Sequence, residues 1–488
     1  MSISSDLRGA VERFVAGAAQ PALLDSGEEP LLMVADQWSL REWNGRLVIE
    51  AWNADRNLIR KVSGIVEHRR DRLLLTTERF PKSPGELRIA DLGAPSGLEA
   101  VRRSTRTAFR ERFRLMLERE YPGWVVEEVS SEPNLEESLS GSFPRAFIRC
   151  GSKGMAAMAA HPDANDPCGL VPLGLVWLQH LRRREKKVQI GRLLLYAPLR
   201  REHEVTFRAA WIDSGHVQCH LRVYDDRDRT AAVDFGDFGN ADSTLPPCRR
   251  PVAPNAESPD LPEIGAVERV EQSDGGVSLR VRGLEFARWN AGKLTCGIGR
   301  RKSASMETVE STARELLRVR SDASHDRASP LYLQQPEAWL ESMVRGSPRT
   351  IDPMLMASPL YGQVPIFGAP DRGVVDLLGV EHTGRLVVVE LKATADIQLP
   401  FQALDYWVRV RKHLYAGDFE RMGYFPGIAL LREDPRIVLV GPALEFHSTS
   451  EALIGAISGR VEITRVGLAA DWRKELRIMF RLRGAERP

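Results

Sequence analysis

The chain has 488 residues, 43% hydrophobic and 27% charged, and a formal net charge of +2. That length suits two to four soluble globular domains, and the composition excludes a disordered chain. The near-balanced charge excludes a globally basic surface, so any face for a polyanion must be local.

The basic residues are lopsided: of 68, ten are Lys and 58 are Arg. A Lys at a chemically suggestive position therefore stands out. Five cysteines (Cys150, Cys168, Cys219, Cys248 and Cys296) are scattered without a C-x-x-C pair. This argues against a structural zinc site and lends no support to a disulfide framework. The start, MSISSDLRGAVERF, lacks the charged and apolar regions of a signal peptide. The longest apolar run, Gly169–Leu178, is too short to span a bilayer. The expectation is a cytoplasmic protein with no membrane partner.

In chain order, residues 1–95 read as a β-rich region, with short apolar runs broken by turn signals such as Asn44-Gly45. A helix is expected over Leu98–Tyr121, stopped by Pro122-Gly123. Residues 96–245 then read as an α/β domain. Its strands are expected at 124–129, 146–150, 192–198 and 216–224, and its helices at 174–187 and 201–212. Prolines at 246–262 mark a linker, and residues 246–330 hold this linker and a small β-containing segment. METVESTARELLRVR (306–320) reads as a helix, and SDASHDRASP (321–330) as a second linker. A last domain is expected over 331–488.

The informative stretch is 371–413. GVVDLLGV and LVVVELK are Val-rich strand patterns around the turn EHTGR. If the turn centres on Thr383, Asp376 falls opposite Glu390. Side chains alternate along a strand, so Glu390 and Lys392 share a face. Two carboxylates about 4 Å apart at an effective dielectric near 20 repel by roughly 4 kcal/mol. A divalent cation with hard oxygen ligands, Mg²⁺ or Mn²⁺, removes that conflict. So does protonation of one carboxylate, or a turn of both to solvent beside Lys392, and the hairpin alone leaves these alternatives open.

A helical pattern follows, FQALDYWVRVRKHLY, with Gln402, Tyr406, Arg409 and His413 on one face. Such a stripe beside a carboxylate pair suits a phosphate-bearing substrate, and a solvated face is the plain alternative. Leu404, Trp407 and Val408 are free to pack on the sheet.

The series Asp376-x13-Glu390-Leu391-Lys392 followed by Gln402-x3-Tyr406 resembles the PD-(D/E)xK nucleases with their added Q-x-x-x-Y motif. The runs 373–380 and 384–392 are similar to the catalytic domain of the NucS/EndoMS nucleases, which act on branched or mismatched DNA. The resemblance covers roughly residues 335–445, under a quarter of the chain, and Val375 stands where the superfamily name has Pro.

It implies a fold class of α/β with a C-terminal restriction-endonuclease-like domain, a mixed sheet flanked by helices. It implies a Mg²⁺-dependent (or Mn²⁺-dependent) deoxyribonuclease with DNA as partner. Asp376 and Glu390 would hold the metal, and Lys392 would position the attacking water. Gln402 and Tyr406 would support the active site and the DNA backbone; Arg409 and His413, on the helix stripe read from the spacing, are the candidate nucleic-acid contacts. The superfamily's helix-borne acid falls on Glu337, with Glu341 as the fallback, in a helix opened by Pro336.

Two further patterns carry less. Arg103, Arg106, Arg110 and Arg114 form a stripe, and 182–187 is a basic cluster. Either suits phosphate binding or a solvated surface. Residues 169–224 and 400–468 share a helix–strand–helix–strand layout, so 98–235 is open to reading as a second nuclease-like domain without its catalytic set. DNA repair and anti-phage or restriction defence are both compatible with the sequence, as is a DNA-binding scaffold without turnover. Endo or exo action, DNA or RNA, and a homodimeric state are left open.

Overall fold

The computed structural model describes residues 3–486 apart from 26–29, 44–45, 54–56, 80–82, 165–166, 237–242, 249–264, 273–274 and 369–371. At 3–5, 78–79, 83–84, 95–104, 367–368 and 372–373 only the backbone is described. The Asn44-Gly45 turn, most of the proline linker and the side chains of Arg102 and Arg103 lie outside the described residues. The chain divides into two compact units, Met1–Glu202 with His220–Val233 and His203–Cys219 with Asp234–Pro488.

In the first unit, α1 (Ile3–Gly17) precedes β1 (Pro21–Asp25), β2 (Leu31–Leu32), β3 (Trp38–Trp43), β4 (Arg46–Trp52), β5 (Asn57–His68), β6 (Arg72–Arg79) and β7 (Ser83–Asp91). They form one antiparallel sheet, ordered β2-β1-β7-β6-β5-β4-β3. Leu7, Val11 and Phe14 of α1 are buried in the core beneath it. The sequence reading of this region as β-rich omitted that helix.

Next come α2 (Pro95–Glu120), β8 (Val125–Ser130), β9 (Arg145–Cys150), β10 (Lys153–Ala159), α3 (Leu170–Arg184), β11 (Gln189–Pro198), α4 (His203–Ala209), β12 (Gln218–Tyr224) and β13 (Thr230–Ala232). The sheet order is β13-β12-β11-β10-β9-β8. β8–β9 and β9–β10 are antiparallel and β10–β11 is parallel. α4 itself belongs to the second unit. Three of the basic residues noted here are in ion pairs. Arg114 pairs with Glu111 and Glu118, Arg183 with Glu137, and Arg184 with Glu128 and Glu185.

The second unit holds two sheets. β14 (Ser243–Thr244) joins the larger one. β15 (Glu268–Glu271), β16 (Val277–Val281), β17 (Leu284–Asn290), β18 (Lys293–Cys296) and β19 (Lys302–Ser303) form an antiparallel five-stranded sheet. α5 (Met306–Val319) covers it through Val309, Ala313 and Leu316. α6 (Pro330–Leu333), α7 (Pro336–Gly346) and α8 (Pro348–Ile351) lead into β20 (Tyr361–Gly368), β21 (Arg372–Val380) and β22 (Leu386–Leu391). Then come α9 (Leu399–Ala416), α10 (Asp418–Arg421), β23 (Arg436–Pro442), α11 (Ser450–Ala456), β24 (Glu462–Leu468) and β25 (Ile478–Arg483).

This sheet runs β14-β20-β21-β22-β23-β24-β25, with parallel pairs only at β22–β23 and β23–β24. The unit is therefore mixed α/β. From β20 on, the strand order and neighbour order repeat those of β8–β13, and the directions agree wherever both are defined; β14 is an added edge strand. β22 is central, and all six of its residues are buried, as expected of a strand covered on both faces. Val387, Val389 and Leu391 pack toward Trp339 and Leu340 of α7, while Leu386 and Val388 pack toward Tyr406, Val410 and Leu414 of α9. Each such side chain contributes roughly 1.5–3 kcal/mol by leaving water.

Among the described residues no helix is long and apolar enough to cross a membrane.

Candidate active site

The β21–β22 hairpin is local chemistry. Val-rich runs flank a turn at His382–Gly384, where Gly384 has φ +91° and a Cβ would lie 2.3 Å from the Ala429 carbonyl oxygen. The ladder pairs Val380 with Leu386 and Leu377 with Val389, the register the sequence implies. One step further the side chain of Asp376 takes over from the backbone: its Oδ2 accepts the Leu391 N–H at 3.0 Å.

Glu390 follows Leu386 and Val388 on the α9 face by strand alternation. It is 1% exposed, and its Oε2 is buried without a hydrogen-bond partner. Burial, and then the Asp376 charge, raise its pKa well above the ordinary carboxylate range, with Lys392 acting the other way. Asp376 is also raised by burial, against the Leu391 N–H, Lys392 and Gln363, which lower it. Lys392 stands just past β22, its Nζ 3.4 Å from Asp396.

Lys392 is placed through its backbone. Its N–H donates to the Val440 carbonyl at 3.0 Å, and a Cβ on Gly441 would lie 2.7 Å from the Lys392 carbonyl oxygen. Gly441 thus permits the close approach of β23 that seats the lysine. Gly441→Ala is expected to lower the activity proposed below by tenfold or more while costing about 1–3 kcal/mol of stability. Cleavage kinetics and urea unfolding on the same sample measure both.

On α9, Gln402 Nε2 donates to Tyr406 Oη at 3.3 Å. Burial and the Glu390 charge push the Tyr406 hydroxyl up to about 12, so it remains a neutral donor at ordinary pH. Leu404 and Trp407 are buried as expected, and the Trp407 indole N–H reaches the Pro435 carbonyl at 2.6 Å.

The rest of the stripe departs from the sequence reading. Arg409 stacks 5.6 Å over the Phe207 ring of α4. His413, read as a DNA contact, is 3% exposed, with Nε2 2.9 Å from Ser243 Oγ and Nδ1 2.5 Å from Asp418 Oδ2. Its ring also packs against Phe419. A residue so enclosed offers no face to DNA, and that assignment is corrected: His413 ties β14 and α10 to α9.

Glu337 and Glu341 both reach the site from α7. With Gln363, Asp376 and Leu391 they line a cavity of about 420 Å³. Glu341 is the more buried, is raised by that burial, and feels Asp376; Asp376 in turn feels Glu337. Gln363 was not read from the sequence at all. Gly362↔Leu377 and Val364↔Val375 bracket it, so it lies beside Asp376, with a left-handed φ of +52° inside a strand. Its Nε2 donates to Glu341 Oε2 at 2.9 Å. The only local hint is its neighbour Gly362, where a Cβ would meet Glu341 Oε1 at 2.7 Å.

Among the described residues, no group of three or more His, Cys, Asp or Glu is arranged to hold a metal ion. Mg²⁺, however, keeps several waters and is commonly held by one or two carboxylates. Asp376 and Glu390 with its orphaned Oε2 fit that donor set. Compared with known proteins, the sequence matches no family model and no curated protein.

Proposed function

We propose that the chain is a Mg²⁺-dependent nuclease that hydrolyses phosphodiester bonds of DNA at Asp376, Glu390 and Lys392. The carrying observation is the carboxylate pair of buried Glu390, one oxygen of which is left without a partner, and half-buried Asp376, beside a lysine at the end of a central strand. An unpaired buried carboxylate is costly, and a bound cation relieves that cost.

When bound, the cation supplies Lewis-acid polarisation of the phosphate and a more acidic water. Asp376 and Glu390 hold it, and Asp376 is itself held by the Leu391 N–H. Lys392 keeps a compact positive charge where negative charge develops, and it is able to exchange a proton. Arginine does this poorly, which gives meaning to a lysine in so arginine-rich a chain. Gln402 and Tyr406 back Glu390 with a neutral hydroxyl. Glu337, Glu341 and Gln363 shape the opening.

The test is cleavage of linear, flapped, mismatched and single-stranded DNA with and without Mg²⁺. Lys392→Ala is expected to lose about 10³-fold or more in rate, a barrier increase near 4 kcal/mol. Undiminished cleavage by Lys392→Ala refutes the site, and binding without cleavage on every substrate favours a scaffold.

A further inference from the structure

The cavity beside Asp376 has a second wall that the proposed chemistry does not use. It comes from the five-stranded sheet and carries Arg280, Gly283, Glu285, Gly299 and Arg301. Arg280 on β16 and Glu285 on β17 are cross-strand partners, with 3.8 Å between Nη2 and Oε2. Arg301 holds the other Glu285 oxygen at 2.6 Å. Two cations share one carboxylate, so this wall carries a net positive charge. The wall opposite carries Glu337, Glu341 and Asp376. No ion pair joins either arginine to these carboxylates among the described residues, although the Arg280 charge is felt at Glu341.

The two walls are fixed relative to each other. The Arg282–Gly283 turn sits on α7 so closely that a Cβ on Gly283 would lie 2.1 Å from the Ala338 carbonyl oxygen. Glu268 Oε1 accepts both the Gly283 N–H, at 3.1 Å, and Ser342 Oγ, at 2.5 Å. Buried Arg320 donates to the carbonyls of Arg282, Leu331 and Gln334, at 3.1, 2.7 and 2.8 Å. The positive wall is therefore preformed.

An occupant that suits both walls has one anionic group for the arginines and another for the cation-holding side. Consecutive phosphates of a nucleic-acid strand have that character. A volume of about 420 Å³ lies toward the small end for ligand sites, which suits about one nucleotide unit.

We propose that Arg280 and Arg301 form a phosphate clamp, gripping the phosphate next to the scissile one and setting the strand's register over Asp376. The inference rests on the nuclease reading for what the strand is positioned toward, but the grip is measurable by binding alone. Planar guanidinium forks suit phosphate, and one charge-assisted contact is worth about tenfold in affinity. Arg280 and Arg301 are positioning residues in this scheme.

The experiment measures binding of a short fluorescent oligodeoxythymidine to the full-length Asp376→Asn protein over a salt series, and cleavage kinetics in the wild-type background. Arg280→Ala and Arg301→Ala are each expected to weaken binding about tenfold. Together they should flatten the salt dependence by about 0.7 in log–log slope, the value of one phosphate contact on a single strand. In cleavage, KM should rise more than kcat falls. The Arg280→Lys/Arg301→Lys protein keeps the charges and should restore the salt slope, which separates a lost grip from a lost fold.

Wild-type affinity and slope in the alanine variants overturn the clamp, as does a parent protein that fails to bind the oligonucleotide. If binding depends on the arginines but the wild-type protein cleaves nothing, the clamp stands and the nuclease reading falls. If the wild-type protein cleaves and the arginine variants match it, the clamp alone falls.

Discussion

Asp376→Asn is expected to abolish Mg²⁺-dependent cleavage, by on the order of 10³-fold or more, without destabilising the metal-free protein. Both halves follow from the same geometry. Glu390 is buried and Asp376 half-buried at the end of the β21–β22 ladder, and the Asp376 charge raises the cost of ionising Glu390. Asparagine removes one charge yet retains an oxygen for the Leu391 N–H that Asp376 accepts. The metal-free variant should therefore match the wild type or exceed it by about 1 kcal/mol, the worth of about one pKa unit. That equals roughly 2–4 °C in unfolding midpoint for a unit of this size.

Addition of Mg²⁺ should then reverse the order. A ligand at about a hundred times its Kd stabilises by about 2.7 kcal/mol, and only the protein with both carboxylates should gain it. Calorimetry with and without Mg²⁺, beside a cleavage assay, reads all of this. A variant that still cleaves, or that is still stabilised by Mg²⁺ like the wild type, would remove Asp376 from the site.

Legibility in the sequence tracked the range of the interactions. The β21–β22 register depends on a short turn and two Val-rich runs, so counting from Thr383 located Asp376 relative to Glu390. Pro336 and the 3.6-residue pattern of α7 likewise placed Glu337 and Glu341 on one helix. β20 was missed because Gly362, the left-handed Gln363 and Pro365 break the pattern of an ordinary strand. Gln363 matters only through partners 22 residues before it and on the next strand.

The helix stripe shows the limit of periodicity from the other side. Helical spacing correctly grouped Gln402 with Tyr406, but it says which face a residue is on, not what covers that face. β14, from residues 243–244, covers His413, a contact 170 positions away in the chain. The cavity's positive wall was unreadable for the same reason. It needs the Gly283 turn to meet α7, and nothing near Arg280 or Arg301 announces that contact.

Arg436→Ala is expected to have the largest effect on stability. Arg436 opens β23, its side chain 10% exposed, and pairs through Nε with Glu381 and through Nη2 with Asp352, whose side chains are 8% and 12% exposed. Burial alone would favour loss of its proton, but the two carboxylates outweigh burial and raise its pKa. Alanine strands two buried carboxylates, a situation that costs about 3–5 kcal/mol. The unfolding midpoint should fall by about 6–20 °C.

A variant that also carries Asp352→Asn and Glu381→Gln should recover most of this loss, because it leaves no uncompensated charge. Arg436 is opposite Val387, three residues along β22 from Glu390, or roughly 10 Å. Well below its midpoint, Arg436→Ala should therefore cleave at close to the wild-type rate. A stability loss under about 1 kcal/mol would show that solvent already shares the triad's charges. Intact stability with lost cleavage would instead couple this end of β22 to the site at the other.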